Sequence, residues 1–192
     1  RHYRVLGQVP PHASVFTSND ALLGGPIASE HRERLEPLGL PRTDVEADHL
    51  GLTCQALGWL HAAAHQGHPA DVGAFTGTLG WLAPFQAAVR RQGVHEVTSL
   101  VDLLVELVDP PAWSPTDPAP PEDRRDRARY WATPARCGLW LGLDDLRTLA
   151  GATGLACGFG RRVKMLETLF ETAVAHRRED VLLQALEDLR AP

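Results

Sequence analysis

Three stretches of this 192-residue chain combine residue types that can do chemistry. The first is Thr43-Asp44-Val45-Glu46-Ala47-Asp48-His49-Leu50, at the head of a long apolar run. Pro41 cannot sit inside a helix, so the pattern predicts a helix beginning just after it. Thr43 and Glu46 have capping-box spacing. Asp44 and Glu46 fall in the first turn, where free N–H groups favour anions. Glu46 and His49 are three apart and share a face. That much describes a helix start. Asp48-His49 is left over, because a histidine gains nothing from the positive end of a helix. A carboxylate beside an imidazole at a buried helix start suits a polar anchor for a ligand or peptide.

The second stretch is His61, His65 and His68, at four- and three-residue steps. Two histidines four apart on one face can bind a metal. A zinc protease needs a glutamate directly after the first, and Ala62 stands there. Histidines near a helix C-terminus also suit the dipole with no metal involved. The third stretch is Gly151, Gly154, Gly158 and Gly160, followed by Arg161 and Arg162. A phosphate loop needs a strand before it, and the sequence offers only the helix after it. A helix C-cap and turn explain these glycines better. Ser14 has no base or acid partner nearby in sequence. Cys54, Cys137 and Cys157 are far apart, form no CxxC pair and suggest reduced thiols rather than a disulfide framework.

The elements that must position these residues read as helices throughout. Residues 1–26 are expected to be largely irregular, with Pro10-Pro11 extended and Gly24-Gly25-Pro26 a turn. A short helix follows, about 27–35. The motif helix runs from about Asp44 to His65, with Leu50, Cys54, Leu57 and Ala64 on one face. Leu52, Ala56, Trp59, Leu60 and Ala63 widen that face, which predicts a central helix. Pro69 opens the next helix, carrying Val72, Phe75, Leu79, Leu82, Gln86 and Val89, with Trp81, Phe85 and Ala88 as a second stripe. Pro84 should kink it. Trp59, Trp81 and Phe85 are candidates for lining an apolar groove, although core is the commoner role.

A further helix, about 94–108, repeats the pattern with Val97, Leu100, Val101, Leu104, Leu107 and Val108. Six prolines between Asp109 and Asp123 then exclude helix and central strand, leaving a linker or surface loop that Trp113 pins to the body. Arg124 to Arg129 reads as a solvated helical turn. Beyond it, three apolar periodicities predict helices around Leu146–Ala150, Val163–Val174 and Val181–Leu189. No period-2 pattern of useful length occurs, so the fold class is all-α.

Bulk properties narrow the function classes. Hydrophobic residues make up 44% and charged residues 22%, the balance of a globular domain with a sizeable core. A net charge of −5 without a basic face argues against nucleic acid. No apolar run reaches the length of a membrane span. Arg1 to Gly7 lacks a signal-peptide core, so a cytoplasmic location is expected.

Asp48-His49, with an apolar helix carrying Gly58 and Trp59 after it, resembles the Glu-Pro-x-Asp-His motif of the TorD-like chaperones. Ala47 takes the free position, and Val45 and Glu46 stand where that family has Glu-Pro. Upstream, Pro10-Pro11-His12-Ala13-Ser14-Val15-Phe16 resembles the family's Pro-Pro-Tyr-Glu-Ser-Val-Tyr segment. Pro10, Pro11, Ser14 and Val15 agree, and His12 and Ala13 replace Tyr-Glu.

The resemblance implies a single all-helical chaperone domain spanning residues 1–192. Residues 1–108 would bear the motifs, residues 109–123 would form a Pro-rich connection, and residues 124–192 a small C-terminal helical lobe. It implies a cytoplasmic chaperone for a molybdenum-dependent oxidoreductase, binding the twin-arginine signal peptide or the immature enzyme until cofactor insertion. No catalysis, cofactor or metal of its own is implied. Glu46 and Asp48 would meet the arginines. Leu52 and Trp59 would flank the apolar portion, and His49 would complete the polar patch. Helix exchange through the Pro-rich connection would give a homodimer. Two other readings remain: a metal-dependent hydrolase using Asp48, His49 and the His61/His65/His68 group, and a plain helical interaction module.

Overall fold

A computed structural model describes residues 9–18, 23–39, 46–93, 95–117 and 119–190, without the side chains of 124 and 125. Among the described residues every regular element is helical, and the one strand-like pairing is an isolated bridge between His12 and His49. The fold is all-α. The chain divides into two compact units, Arg1–Trp113 and Ser114–Pro192.

The first unit begins with α1, Ala13–Thr17, and α2, Gly25–Leu35. Sequence pattern alone leaves α1 as irregular chain, because five residues are too few to show a period. Pro26 sits in the first turn of α2, where its missing N–H costs nothing. A 3₁₀ turn, Glu36–Leu38, carries the chain past Pro37, and Gly39 closes it in the left-handed conformation.

The motif helix α3 runs Leu50–His65. The expected start after Pro41 is therefore a correction. Residues 46–49 are not helical, and Thr43, with residues 41–45, lies outside the described residues. Nor is α3 central: only Thr53, Ala56, Leu57, Leu60 and Ala63 are buried. Cys54, Trp59 and Ala64 face solvent.

The helix expected from Pro69 onward is also two elements. Those are α4, Val72–Thr76, and α5, Leu82–Arg91. Pro84 does not kink a continuous helix. It stands in the first turn of α5, where proline is tolerated. Trp81 and Phe85 are buried and belong to the core, not to a groove. With Phe16 they form an aromatic triad: Phe16 and Trp81 stack at 6.1 Å, and Phe85 meets both at 5.7–5.8 Å. This triad joins α1 to α5. Helix α6, His95–Val108, packs along α5, and Asp102 accepts from Gln86 at 2.8 Å and from Arg90 at 3.0 Å. Its only buried residue is Val101. The Pro-rich chain beyond α6 lies against Gly80: a β-carbon there would stand 3.3 Å from the Pro111 carbonyl and 3.9 Å from Trp113. Glycine permits this approach.

The second unit contains α7 (Arg124–Ala132), α8 (Pro134–Cys137), α9 (Leu143–Thr153), α10 (Arg162–Ala175) and α11 (Glu179–Arg190). Its core gathers Trp131, Leu146, Leu166, Leu169, Leu182 and Leu186. α7 is more than the solvated turn its charged first half suggests: Ala128, Tyr130, Trp131 and Ala132 are all buried, and the helix packs on α10. The Arg162 guanidinium lies 3.9 Å from the centre of the Trp140 ring. Cys137 is buried, and that burial pushes its thiol up to about 11.

Because the triad fills space on two elements, Phe85→Ala should destabilise the first unit by about 3–5 kcal/mol, the usual cost of emptying a buried ring site. Asp102→Ala removes an exposed pair and should cost under about 1 kcal/mol. Urea unfolding of both variants checks the contrast.

Candidate functional site

The two segments that carry chemistry, 34 to 36 residues apart, meet at their backbones. His12 and His49 are each the N-cap of a helix, both extended, and they pair antiparallel. The Leu50 N–H donates to the Pro11 carbonyl at 2.8 Å, and the Ala13 N–H donates to the Asp48 carbonyl at 3.1 Å. The starts of α1 and α3 are thus locked back to back.

The Asp48 side chain fills the angle between them and is fully buried. Its Oδ2 accepts the Ser14 N–H at 2.7 Å, and its Oδ1 lies 3.4 Å from the Nδ1 of His12. His12 makes no side-chain cap of its own helix. Asp48 therefore caps α1 from a distance, supplying the acceptor an N-terminus needs. The Ser14 hydroxyl in turn accepts the N–H of Gly24, the N-cap of α2, at 3.1 Å. The starts of three helices converge on one buried carboxylate and one buried hydroxyl.

Burial alone would raise the Asp48 carboxyl. Hydrogen bonds from His12 and from Ser14, with the charge of His12, outweigh burial and hold it at about 2. It is ionised at every ordinary pH. His49 behaves differently. Its Nδ1 accepts the Gly51 N–H at 2.9 Å, which caps α3 and requires that nitrogen unprotonated. Burial lowers its basicity, and the charge of His12 lowers it further, against the pull of Asp48. The His12 and His49 rings meet edge-on at 4.9 Å. His31 of α2 is buried in the electrostatic reach of Asp48, and burial lowers its basicity too.

The predicted site residues separate into two groups. Asp48 and His49 come together with His12, Ser14 and His31. The side chains of Glu46, Leu52 and Trp59 stand outside that cluster. Glu46 is half-exposed, 3.8 Å from Arg32. Leu52 is partly exposed, and Trp59 keeps 45% of its surface. The chain matches no family model, no curated protein and no solved structure. What can be said of the site rests on its own geometry.

That geometry corrects one expectation. Asp48 cannot meet an incoming arginine while it is buried and committed to Ser14. Its work is to hold the helix starts in place. His61, His65 and His68 all face solvent, and among the described residues no three His, Cys, Asp or Glu side chains are grouped so as to hold a metal ion. Sequence reasoning does not single out His12, Ser14 and His31 as partners of Asp48. No local period links residues so far apart, and the signal lies only in pairing the two motif segments.

Asp48→Ala should therefore act on stability, costing about 3 kcal/mol by leaving the Ser14 N–H buried and unpaired. Acid should do the same in two stages. His49 and His31 bind protons less readily in the fold than in the unfolded chain. Their contribution is complete above about pH 6.5 and shrinks as pH falls below it. Asp48 contributes fully above its ordinary value of 3.8 and loses that contribution as pH falls toward about 2. Urea midpoints measured from pH 8 to pH 5 should decline with acid, and His49→Asn, whose cap does not titrate, should flatten that decline. An equal slope in the variant would remove His49 from the account.

Proposed function

We propose that the chain is a helical binding protein of the TorD-like type, a cytoplasmic chaperone for a molybdenum-dependent oxidoreductase. Its ligand is the enzyme's twin-arginine signal peptide or the immature enzyme. The observation that carries this reading is the junction itself. The two segments that resemble the family's motifs are paired backbone to backbone, so the likeness falls on one structural feature and not on two unrelated stretches.

Around that junction the chain offers what a basic and apolar segment needs. Glu46 is an accessible carboxylate whose ion pair with Arg32 is long and exposed. Such a pair is worth at most about 1 kcal/mol, so an incoming arginine can replace it. Seven residues apart on α3, Leu52 and Trp59 lie on the same side of the helix and both keep exposed surface. Asp48 and His49 set where α3 begins, and so where Leu52 and Trp59 stand. No bond-making step is part of this reading: Ser14 is buried and engaged by Gly24, which leaves it no access to a substrate.

Calorimetric titration with twin-arginine signal peptides from molybdoenzymes should show saturable binding at one site. Glu46→Gln and Trp59→Ala should each weaken it about tenfold, roughly the worth of one charge-assisted hydrogen bond or one aromatic anchor. Both side chains are exposed, so circular dichroism should not change. Absence of binding by the folded protein to every such peptide would sink the signal-peptide reading.

A further inference from the structure

Helix α6 carries more apolar residues than its packing uses. Val97, Leu100, Val101, Leu103, Leu104, Val105, Leu107 and Val108 cover nearly its whole circumference. A helix of that kind belongs between two neighbours. It has one. Val101 points to the buried side, and Asp102 pairs with Arg90 of α5. On the opposite side Leu100, Leu103 and Leu107 are 68%, 50% and 73% exposed. Their spacing of three and four residues aligns them in one stripe. Leu100 and Leu107 belong to the helix's apolar periodicity, and the structure leaves both exposed. Three neighbouring leucines on the solvent face are a different matter from one exposed leucine, and such stripes mark interaction sites.

Charge decides what fits there. Glu96 lies in line with the stripe at its N-terminal end, and Glu106 borders it. Both are exposed, and Asp109 follows directly after the helix. The helix itself carries no Lys or Arg. A second copy of α6 laid on this stripe would bring acidic rims together. An anionic bilayer would meet the same repulsion. We propose that the Leu100–Leu103–Leu107 face of α6 docks an amphipathic helix of a protein partner whose apolar side is flanked by Arg or Lys. The leucines take the apolar side, and Glu96 and Glu106 take the cations. This goes beyond the signal-peptide reading, since the stripe shares no residue with the Asp48 junction or with the Glu46, Leu52 and Trp59 group.

The test uses the whole chain and two synthetic helices, each with leucines on one side. One carries arginines at its flanks and the other glutamates. Fluorescence anisotropy should show the arginine helix binding, with affinity falling as salt rises, and the glutamate helix not binding. The triple variant Leu100→Gln, Leu103→Gln, Leu107→Gln should bind the arginine helix at least about tenfold more weakly, the loss expected when anchors are removed. These leucines are exposed, so the variant should unfold at the same urea concentration as the parent. Equal binding by parent and variant overturns the proposal. So does a parent that sediments as a dimer while the variant is a monomer, which would make the face a self-interface. Co-sedimentation with phosphatidylglycerol vesicles, lost in the variant, would assign it to a membrane and overturn it as well. Signal peptides that fail to bind the parent leave each of these outcomes readable.

Discussion

The Asp48 carboxylate is the point on which the first unit turns. Removing an ionised group from water costs several kcal/mol, so it persists there only because its acceptor capacity is used. The Ser14 N–H uses one oxygen and His12 lies against the other. Helix α1 has five residues and could not hold its shape in isolation. It exists because a carboxylate from beyond α2 supplies the cap its own sequence lacks. Phe16, on the same short helix, is then delivered into the stack with Trp81 and Phe85. A polar junction at one end of α1 and an aromatic triad on its side thus fix a single geometry.

The same junction transmits order outward. The Ser14 N–H bonds to Asp48 and the Ser14 hydroxyl accepts from Gly24, so the entry to α2 is tied to the entry to α1. On the other side, the Leu50 N–H reaches Pro11 and the Gly51 N–H reaches His49. Each of these N–H groups lies at a helix start and has no intrahelical partner. All are satisfied within one small region, and all but the Gly51 bond to His49 join separate segments of the chain. The histidines make the arrangement sensitive to acid, because His49 holds its bond through a lone pair that a proton would occupy.

Much of the fold was legible in the residue pattern. The absence of a period-2 signal pointed to the helical class, and the heavy apolar periodicities of the second unit pointed to α9, α10 and α11. Where the reading failed, a local rule competed with a tertiary one. Thr43 and Glu46 have the spacing of a capping box, but α3 starts at Leu50 with His49 as its cap, and histidine is not among the usual capping residues. The charged opening of α7 hid the buried residues at its end. Pro84 signals a break with equal force whether it lies within a helix or in its first turn, and only the fold distinguishes the two. The pairing of Asp48 with His12 and Ser14 had no local signature at all.

Apolar periodicity says which residues can be buried and not which of them will be. In α3 the apolar residues cover a broad face, yet the fold uses only the narrow row from Thr53 to Ala63 and leaves Trp59 outside it. In α6 the surplus is larger, and three leucines remain uncovered. A chain that needed only to fold would gain solubility from polar residues at those positions without losing a core contact. The polar residues show the reverse pattern. Asp48, Ser14 and His31 are buried, where each must find partners to offset its desolvation. Hydrophobic residues in solvent and ionisable residues inside are both departures from what stability alone favours. In the first unit the buried set fixes where α3 begins, and with it where Leu52 and Trp59 stand. That coupling of a costly interior to an unused exterior is the physical feature on which the proposed binding role rests.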